Sequence, residues 1–282
     1  MNLEDKQNKT ADNFVLEIRQ KTLFFKKSRN NFFIKNSQAY FIKNVDQGFR
    51  EGNNDTLVNK LKLVIKKYPR IFSFLCFILG SSSVGKSPRD AIKEIGPNKI
   101  ILNLGSGIKK IREDVINVDF FPFNGVDIVA DISDLPFIDN SIDAVVNEYV
   151  LEHLYNPEKV VGEMRRVMKS GAILYLTVPF VANFHSSPDD YYRWSKEGLR
   201  VLLKDFEEID CGIRSGPTSA LVYILGEWLS IILSLGIGKV RQIFSVFFMV
   251  IFSPVNLLDY LIYKIPGSEN IAYGFYFIGK KK

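Results

Sequence analysis

A short apolar run that leads into two glycines is the first feature of the sequence that could bind a ligand. Gly105-Ser106-Gly107 follows residues 100–104, and glycine lets the backbone turn sharply and lets a ligand approach without meeting a Cβ atom. Backbone N–H groups exposed in such a turn can bind an anion, here a carboxylate. An ordinary loop has the same pattern, so the interpretation depends on the residues further along the chain.

Three more apolar runs downstream of this turn end in polar residues. Asp119 can accept hydrogen bonds from both hydroxyl groups of a ribose. Asp131 can accept from an adenine amino group, while Ile132 offers an apolar wall or a backbone N–H. Asn147 ends the next run. Because ligands of open α/β sheets bind at the carboxyl ends of the strands, we expect these residues to surround one adenosine-containing ligand.

A parallel sheet is needed to bring these positions together, and the sequence predicts one because short apolar runs alternate with helical patterns. The predicted strands are residues 99–104, 115–118, 126–130, 144–146 and 172–178, and the predicted helices are residues 157–168 and 196–204. An antiparallel pair, residues 206–213 and 272–279, is predicted to complete one edge. The predicted fold class is α/β, with a Rossmann-like, seven-stranded, mostly parallel sheet whose last strand is antiparallel.

These motifs resemble the small-molecule methyltransferase family of class I S-adenosylmethionine-dependent methyltransferases. The resemblance rests on residues 103–107, 119, 131–132, 134–137, 140–146, 151–154 and 163–171. It implies S-adenosylmethionine as the cofactor and transfer of its methyl group. The cofactor-binding residues that it implies are Asn103, Gly105, Ser106, Gly107, Asp119, Asp131, Ile132 and Asn147.

The glycine loop departs from the family pattern. The family commonly has an acidic residue where Asn103 stands and a third glycine near Lys109 or Lys110, and both are missing here. The connection from Gly107 to Val115 is also short for a crossover helix. These departures favour an alternative, a non-catalytic, membrane-associated binding or scaffold protein that retains the fold. The lysine at 110 also disfavours a nucleotide-linked oxidoreductase, which would need glycine there.

A polar and aromatic segment, residues 185–195, follows the fifth predicted strand and would overhang the cofactor. It resembles a loop in a bacterial subgroup of these methyltransferases that is associated with surface glycans and the cell envelope. Aromatic faces with acids and a guanidinium suit a polyhydroxylated ligand, so the predicted acceptor is a sugar, a glycan or a lipid-linked small molecule. Alternatively, the acids pair with the arginine and the rings pack as a cap. The predicted substrate-binding residues are Asp189, Asp190, Tyr191, Arg193 and Trp194.

The chain has two histidines, and both follow predicted strands. Methyl transfer from a sulfonium requires alignment of donor and acceptor and a base that takes the acceptor's proton. Histidine suits that task near neutral pH, so His185 and His153 are the predicted catalytic residues. Quinone-biosynthetic relatives have a glutamate where Tyr149 stands, so no metal is predicted at Glu152-His153.

Basic charge is concentrated outside the predicted catalytic region. Residues 1–70 contain 15 basic and 7 acidic residues, whereas residues 97–215 contain 13 and 19. This distribution argues against a nucleic-acid partner and favours an anionic membrane surface. Residues 57–79 predict a basic amphipathic helix, which either packs on the domain or lies in a membrane interface. The two cysteines stand in unrelated contexts, which indicates neither zinc nor a disulfide and favours a reducing compartment.

Two regions are predicted, an N-terminal extension (residues 1–96) and a methyltransferase domain (residues 97–282). Within the domain, residues 218–265 are an apolar helical insertion, and residues 218–237 contain a single charge, Glu227, over a length that can cross a bilayer. We expect a helical hairpin that contacts the membrane, or alternatively a buried cap or a dimer interface. Because the N-terminal segment also lacks a signal-peptide core, the predicted location is cytoplasmic, at the inner face of the membrane.

Overall fold

The computed structural model describes residues 13–26, 28, 32–42, 79–185 and 189–282. The predicted basic helix, apart from residue 79, lies outside these described residues. The strands are β1 (Asn13–Ile18), β2 (Lys21–Lys26), β3 (Phe33–Lys35), β4 (Gln38–Tyr40), β5 (Ile101–Leu104), β6 (Ile116–Asp119), β7 (Ile128–Val129), β8 (Ile142–Glu148), β9 (Met168–Pro179), β10 (Phe206–Ser215) and β11 (Gly274–Lys281). The α-helices are α1 (Pro88–Ile92), α2 (Pro157–Val167), α3 (Lys196–Leu202), α4 (Pro217–Leu233), α5 (Gly238–Phe252) and α6 (Asp259–Ile262).

Nine strands of the described residues form one sheet, in the order β10-β11-β9-β8-β5-β6-β7-β4-β3. Strands β5 to β9 run parallel, β11 is antiparallel to both of its neighbours, and β10 therefore points the same way as β9. The predicted Rossmann-like sheet of seven strands with an antiparallel last strand is confirmed in β5 to β11. The carboxyl ends of β5 to β10 consequently lie along one side of the sheet, which we call the carboxyl edge.

Part of the predicted N-terminal extension belongs to this sheet. β4 pairs in parallel with β7, and β3 pairs with β4. Between β3 and β4, Asn36 and Ser37 have φ angles of 50° and 61°, as the two central residues of a tight hairpin turn require. The Asn-Ser pair lacks the glycine that usually marks such turns, so the sequence pattern does not reveal it. Residues on both sides of the predicted domain boundary at residue 96 therefore lie in one sheet. The boundary itself stays a prediction.

The β1–β2 hairpin covers one face of the sheet. Its inward-facing side chains join the main hydrophobic core: Leu16, Ile18, Leu23 and Phe25. Two cations fix its turn to the sheet, because the Arg19 guanidinium donates to both carboxylate oxygens of Asp127 at 2.8 Å and the Lys21 ammonium donates to the backbone oxygen of Asp114 at 2.6 Å. The hairpin therefore buries apolar residues of the sheet. The sequence patterns that predict the later helices do not predict this contact.

On the opposite face, the connection between β5 and β6 is a loop in the described structure, as its short length predicts. Ile111 of this loop packs with Ile92 of α1 in a second hydrophobic cluster. The Arg112 guanidinium joins the loop to the end of α1 by donating to the backbone oxygens of Ile92 and Ile95, both at 3.1 Å. Loop and helix α1 together therefore cover the sheet where a crossover helix is missing.

The apolar insertion forms a helical hairpin of α4 and α5, which starts at the carboxyl edge where β10 ends. Helix α5 contains no buried residue, so this half of the insertion is not covered by the described part of the chain. The run Gly238–Ile262 is long and apolar enough to cross a membrane. Large exposed side chains of the hairpin include Leu221, Ile224, Trp228, Ile231, Ile232, Leu235, Ile243, Phe247, Val250 and Ile251.

A buried carboxylate fixes the base of this hairpin. Asp259 accepts hydrogen bonds from the backbone N–H groups of Thr218 and Ser219 at 2.6 and 3.0 Å, which caps the first turn of α4. It also accepts from the hydroxyl groups of Ser82 and Ser219 at 2.5 and 2.7 Å. A negative charge at a helix N-terminus is favourable, and four donors offset the cost of burying it. The hairpin therefore leaves the sheet from one satisfied polar cluster.

Replacement of Asp259 by Asn should lower the free energy of unfolding by roughly 2–4 kcal/mol. The asparagine has no negative charge, and its NH₂ group would face N–H and O–H groups that need an acceptor. Urea unfolding followed by circular dichroism measures this change. Asp205→Asn, at an exposed position, is the matched control and should stay within about 0.5 kcal/mol of wild type. Equal stabilities for the two variants would contradict the role assigned to Asp259.

Candidate functional site

The glycine turn and the first predicted acid meet at the carboxyl edge. The Gly107 N–H donates to Oδ2 of Asp119 at 2.7 Å, and the N–H of Phe121 donates to Oδ1 of the same carboxylate at 2.9 Å. The Gly105 N–H donates to the backbone oxygen of Val118 at 2.8 Å. The ends of β5 and β6 are thus joined through the two residues that the sequence pattern assigns to one ligand.

Gly105 is required by both its conformation and its surroundings. Its φ angle is +71°, and a Cβ atom there would lie 2.4 Å from Cγ2 of Val150. Val150 belongs to the segment after β8, where Tyr149 has a φ angle of 53° although it is not glycine. The segment after β8 therefore presses directly on the glycine turn. At Gly107 a Cβ atom would meet nothing within 4 Å, so that side of the turn is open.

The two predicted asparagines lie beside the turn in different roles. Asn103 is buried, and its side chain donates to Oδ1 of Asn117 at 3.0 Å and to the backbone oxygen of Lys109 at 3.3 Å. It therefore braces the loop from within. The Asn147 side chain donates to the backbone oxygen of Leu104 at 3.0 Å, while its own buried Oδ1 has no hydrogen-bond partner among the described residues. That unpaired acceptor fits a ligand with an N–H or O–H donor.

Asp131 and Ile132 follow β7 at the same edge. The N–H of Ala130 donates to the backbone oxygen of Asp119 at 3.0 Å, which brings Asp131 next to the first acid along the edge. Oδ1 of Asp131 accepts from the N–H of Ser133 at 2.8 Å. Ile132 is 7% exposed and its side chain packs in the main core, and its role as an apolar wall or a backbone N–H donor stays a prediction.

A second group of polar side chains contains both predicted catalytic histidines. The rings of His153 and His185 are perpendicular, with centroids 5.2 Å apart. Glu152 lies beneath them, fully buried, with one carboxylate oxygen 3.9 Å from Nε2 of His153. Burial raises the pKa of Glu152 to about 8. Burial also lowers the pKa of His153 and, together with the neighbouring His153 charge, that of His185, so both imidazoles favour the neutral form.

The segment after β9 shows the pairing of acid and arginine that the packed-cap alternative predicts, while ligand binding by this segment stays a prediction. Arg193 and Asp190 form an ion pair, and the N–H of His185 donates to Asp190 Oδ2 at 2.8 Å. Burial alone would raise the pKa of Asp190, but the hydrogen bonds from Arg193 and His185 lower it. Asp190 and Arg193 thus hold the His185 segment in place. The side chains of Asp189 and Tyr191 lie at the surface.

Trp194, predicted to contact the acceptor, lies in the hydrophobic core. Its side chain is 8% exposed and stacks on Tyr192, with ring centroids 5.4 Å apart. The backbone N–H of Trp194 donates to the backbone oxygen of Pro179 at 3.0 Å. The indole therefore packs the segment onto β9, and the aromatic pattern alone cannot distinguish this role from ligand binding.

One buried residue and one partly buried residue of the site have no role assigned from the sequence. Glu152 stands in the 151–154 motif, but only the structure reveals that it is buried without a hydrogen-bond partner among the described residues. Tyr273, just before β11, is close enough to Glu152, Asp190 and Arg193 for their charges to affect it, and burial raises its pKa to about 12. No local sequence signal marks Tyr273, because more than 100 residues separate it from Glu152 along the chain.

Comparison with known proteins finds a family match over the segment that contains strands β6 to β8 and most of β9. Residues 107–176 match the family model described as a methyltransferase domain. A probable S-adenosylmethionine-dependent methyltransferase of Mycobacterium tuberculosis, found in two strains, is 31% identical over 97 residues. That match covers 31% of this chain and 35% of the relative, so the chain spans about a third of the length of the curated relatives it matches. The family model thus describes an enzyme domain, and the name of the relative describes S-adenosylmethionine-dependent methyl transfer.

Two of the solved structures with a similar fold are described as methyltransferases. A Thermotoga maritima S-adenosylmethionine-dependent methyltransferase, described as a possible histamine N-methyltransferase, has 14% identity and a TM-score of 0.44 over 79% of this chain and 100% of that chain. Phosphoethanolamine N-methyltransferase 2 of Haemonchus contortus, bound to S-adenosylmethionine, has 13% identity and a TM-score of 0.44 over 83% and 59%. The fold assignment therefore depends on the strand order of the chain itself.

Substitution of the two loop glycines should separate packing from backbone strain. Gly107→Ala should cost about 1–2 kcal/mol of unfolding free energy, because an alanine at positive φ is strained. Gly105→Ala should cost roughly 1–3 kcal/mol more, since its Cβ overlaps Val150. Urea unfolding measures both changes. Adding Val150→Ala should restore part of the loss in Gly105→Ala and none in Gly107→Ala, and equal effects on the two variants would contradict the contact.

Proposed function

We propose that this chain is an S-adenosylmethionine-dependent methyltransferase that acts on a small-molecule acceptor at a membrane surface, with a sugar or lipid-linked compound as the preferred class. The observation that carries the proposal is the hydrogen bond between Gly107 and Asp119, which sets a glycine turn beside a carboxylate at the carboxyl edge. The methyltransferase domain match over residues 107–176 supports the same activity.

The described residues fit the proposed cofactor. Asp119 can hold the turn and also accept from ribose hydroxyl groups, because a carboxylate has about four acceptor sites. The open side of Gly107 leaves room beside it for a ligand. The unpaired Oδ1 of Asn147 suits the amino group of the methionine part, and Asp131 lies further along the edge for the adenine. S-adenosylmethionine supplies an activated methyl group on a sulfonium.

The acceptor side is proposed at the second polar group. Asp190 and Arg193 fix the backbone that carries His185, and the Glu152 segment carries His153. Alignment of acceptor and donor is the main requirement for methyl transfer, and such a braced segment supplies it. The role of His185 or His153 as a base stays a prediction, and the proposed reaction is O-methylation.

The membrane part of the proposal depends on where the apolar hairpin begins. It leaves the sheet at the carboxyl edge, the same edge that carries the glycine turn and the histidines. Tyr149 of the segment after β8 contacts Ser215 at the base of the hairpin, with 3.1 Å between the two hydroxyl oxygens. Exposed apolar surface of this extent is typical of a membrane or protein contact. An acceptor held in a bilayer would therefore be presented to the site.

The helix lengths favour insertion into one leaflet over a spanning hairpin. Helices α4 and α5 have 17 and 15 residues, or about 25 and 22 Å at the usual rise, whereas the hydrocarbon core is about 30 Å thick. Ser253 starts a 3₁₀ segment, and Asp259 is bonded to Ser82 and to the first turn of α4, so the rest of the apolar run stays at the base. Arg241 and Glu227 pair between the helices, which satisfies both charges inside the hairpin.

Methyl transfer onto fractionated cell extract tests the activity. With radiolabelled S-adenosylmethionine, the full chain should label the organic-solvent-extractable lipid or glycolipid fraction. Asp119→Asn should lower labelling at subsaturating cofactor by about 10- to 100-fold, because a hydrogen bond to a charged group is lost, and Asp205→Asn should match wild type. Cofactor binding without transfer to any fraction would favour the alternative of a non-catalytic scaffold protein. Asn103 and the missing third glycine are the features that favour this alternative.

Flotation with vesicles of phosphatidylcholine and phosphatidylglycerol tests the membrane contact. The triple variant Ile243→Ser, Phe247→Ser and Ile251→Ser should bind at least about tenfold more weakly, since three exposed apolar side chains of α5 are lost. Val201→Ser, at an even more exposed apolar position on α3, should bind like wild type. Unchanged binding by the triple variant, or a stable dimer that buries α5 without lipid, would contradict the proposal.

A further inference from the structure

Three ligand-type side chains converge beside the proposed acceptor site. Glu152 and His153 come from the 3₁₀ turn after β8, and His185 comes from the segment after β9. One potential metal-binding atom from each of the three lies within 4.8 Å of the other two. We propose that Glu152, His153 and His185 form a binding site for a divalent transition-metal ion of zinc-like chemistry.

The carboxylate of Glu152 is the independent observation that points to a cation. The side chain is fully buried, and neither of its oxygens has a hydrogen-bond partner among the described residues. An ionised carboxylate without a partner is strongly destabilised in the interior unless a counter-ion or donors compensate it. Nε2 of His153 lies 3.9 Å from the carboxylate, which is too far for a hydrogen bond. A metal ion between them would satisfy the carboxylate.

The histidines are arranged as metal ligands usually are. Nδ1 of His153 lies 2.5 Å from the backbone oxygen of Asp189, which suits an Nδ1–H donor and leaves Nε2 as the acceptor that faces Glu152. Nδ1 of His185 lies 3.5 Å from the backbone oxygen of Asn183, with Oδ2 of Asp190 at 3.7 Å. Metal-bound histidines almost always have such a carbonyl or carboxylate behind the second ring nitrogen.

The donor set selects the class of ion. Two imidazoles and one carboxylate are typical of zinc and of related transition metals, whereas magnesium and calcium prefer oxygen donors. Three protein ligands leave at least one coordination position for water or for an acceptor oxygen. Metal binding at this site does not depend on the proposed methyl transfer, although a bound ion would give both histidines a role other than that of the predicted base.

Cobalt(II) titration of the untagged, metal-free full chain in detergent micelles tests the site. Wild type should bind one Co²⁺ per chain with the visible absorption of a low-coordinate site, and Zn²⁺ should displace it. Because the chain has only these two histidines, their ring proton signals in NMR report on the site directly. Both histidine signals should shift or broaden on addition of metal.

Glu152→Gln and His185→Asn should each weaken Co²⁺ binding at least about tenfold. Glu158→Gln, an exposed glutamate at the start of α2, is the matched control and should bind like wild type. The His185 side chain is 38% exposed, so His185→Asn keeps the test valid if the buried Glu152 variant fails to fold. Absence of stoichiometric binding by wild type, or wild-type affinity in both variants, would overturn the proposal whether or not the chain transfers methyl groups.

Discussion

The hydrogen bond between the Gly107 N–H and the Asp119 carboxylate is the interaction on which the other contacts of the site depend. It joins the ends of β5 and β6, whose connection has no helix of its own to hold its shape. Arg112 fixes the far end of that connection to α1, and the carboxylate fixes the near end. The same acid that would bind a ribose therefore also shapes the loop that would bind the methionine part.

From this bond the constraints continue along the carboxyl edge. Gly105 lets Val150 pack on the turn, and Val150 leads into the 3₁₀ turn that carries Glu152 and His153. The segment after β9 then reaches back to this turn, because the N–H of Tyr191 donates to the backbone oxygen of Glu152 at 2.7 Å. The residues proposed to bind the cofactor and those proposed to bind the methyl acceptor are thus joined by one continuous set of contacts. The apolar hairpin begins at the same edge, so chemistry and membrane contact would face the same direction.

Much of this arrangement can be predicted from the sequence, because it is encoded locally. The apolar runs of β5, β6 and β8 and the polar residues that end them identify the sheet and its edge, and α2 ends within one residue of its predicted end. Other features depend on tertiary contacts. The hairpins β1–β2 and β3–β4 turn through non-glycine residues in left-handed conformation, so the usual turn signal is absent.

Ile132 and Trp194 show a second limit. Both stand where a ligand contact is plausible, but the pattern along the chain does not say which way a side chain points, and both pack in the core. The burial of Glu152 likewise results from segments far apart in sequence.

A crystal structure of the full chain with S-adenosylhomocysteine would show directly whether the glycine turn and Asp119 hold the cofactor. We expect the ribose hydroxyl groups within about 3.2 Å of the Asp119 carboxylate, beside Gly107, with the adenine toward Asp131. Density for the ligand at any other place, with Asp119 still bonded only to protein groups, would contradict this assignment.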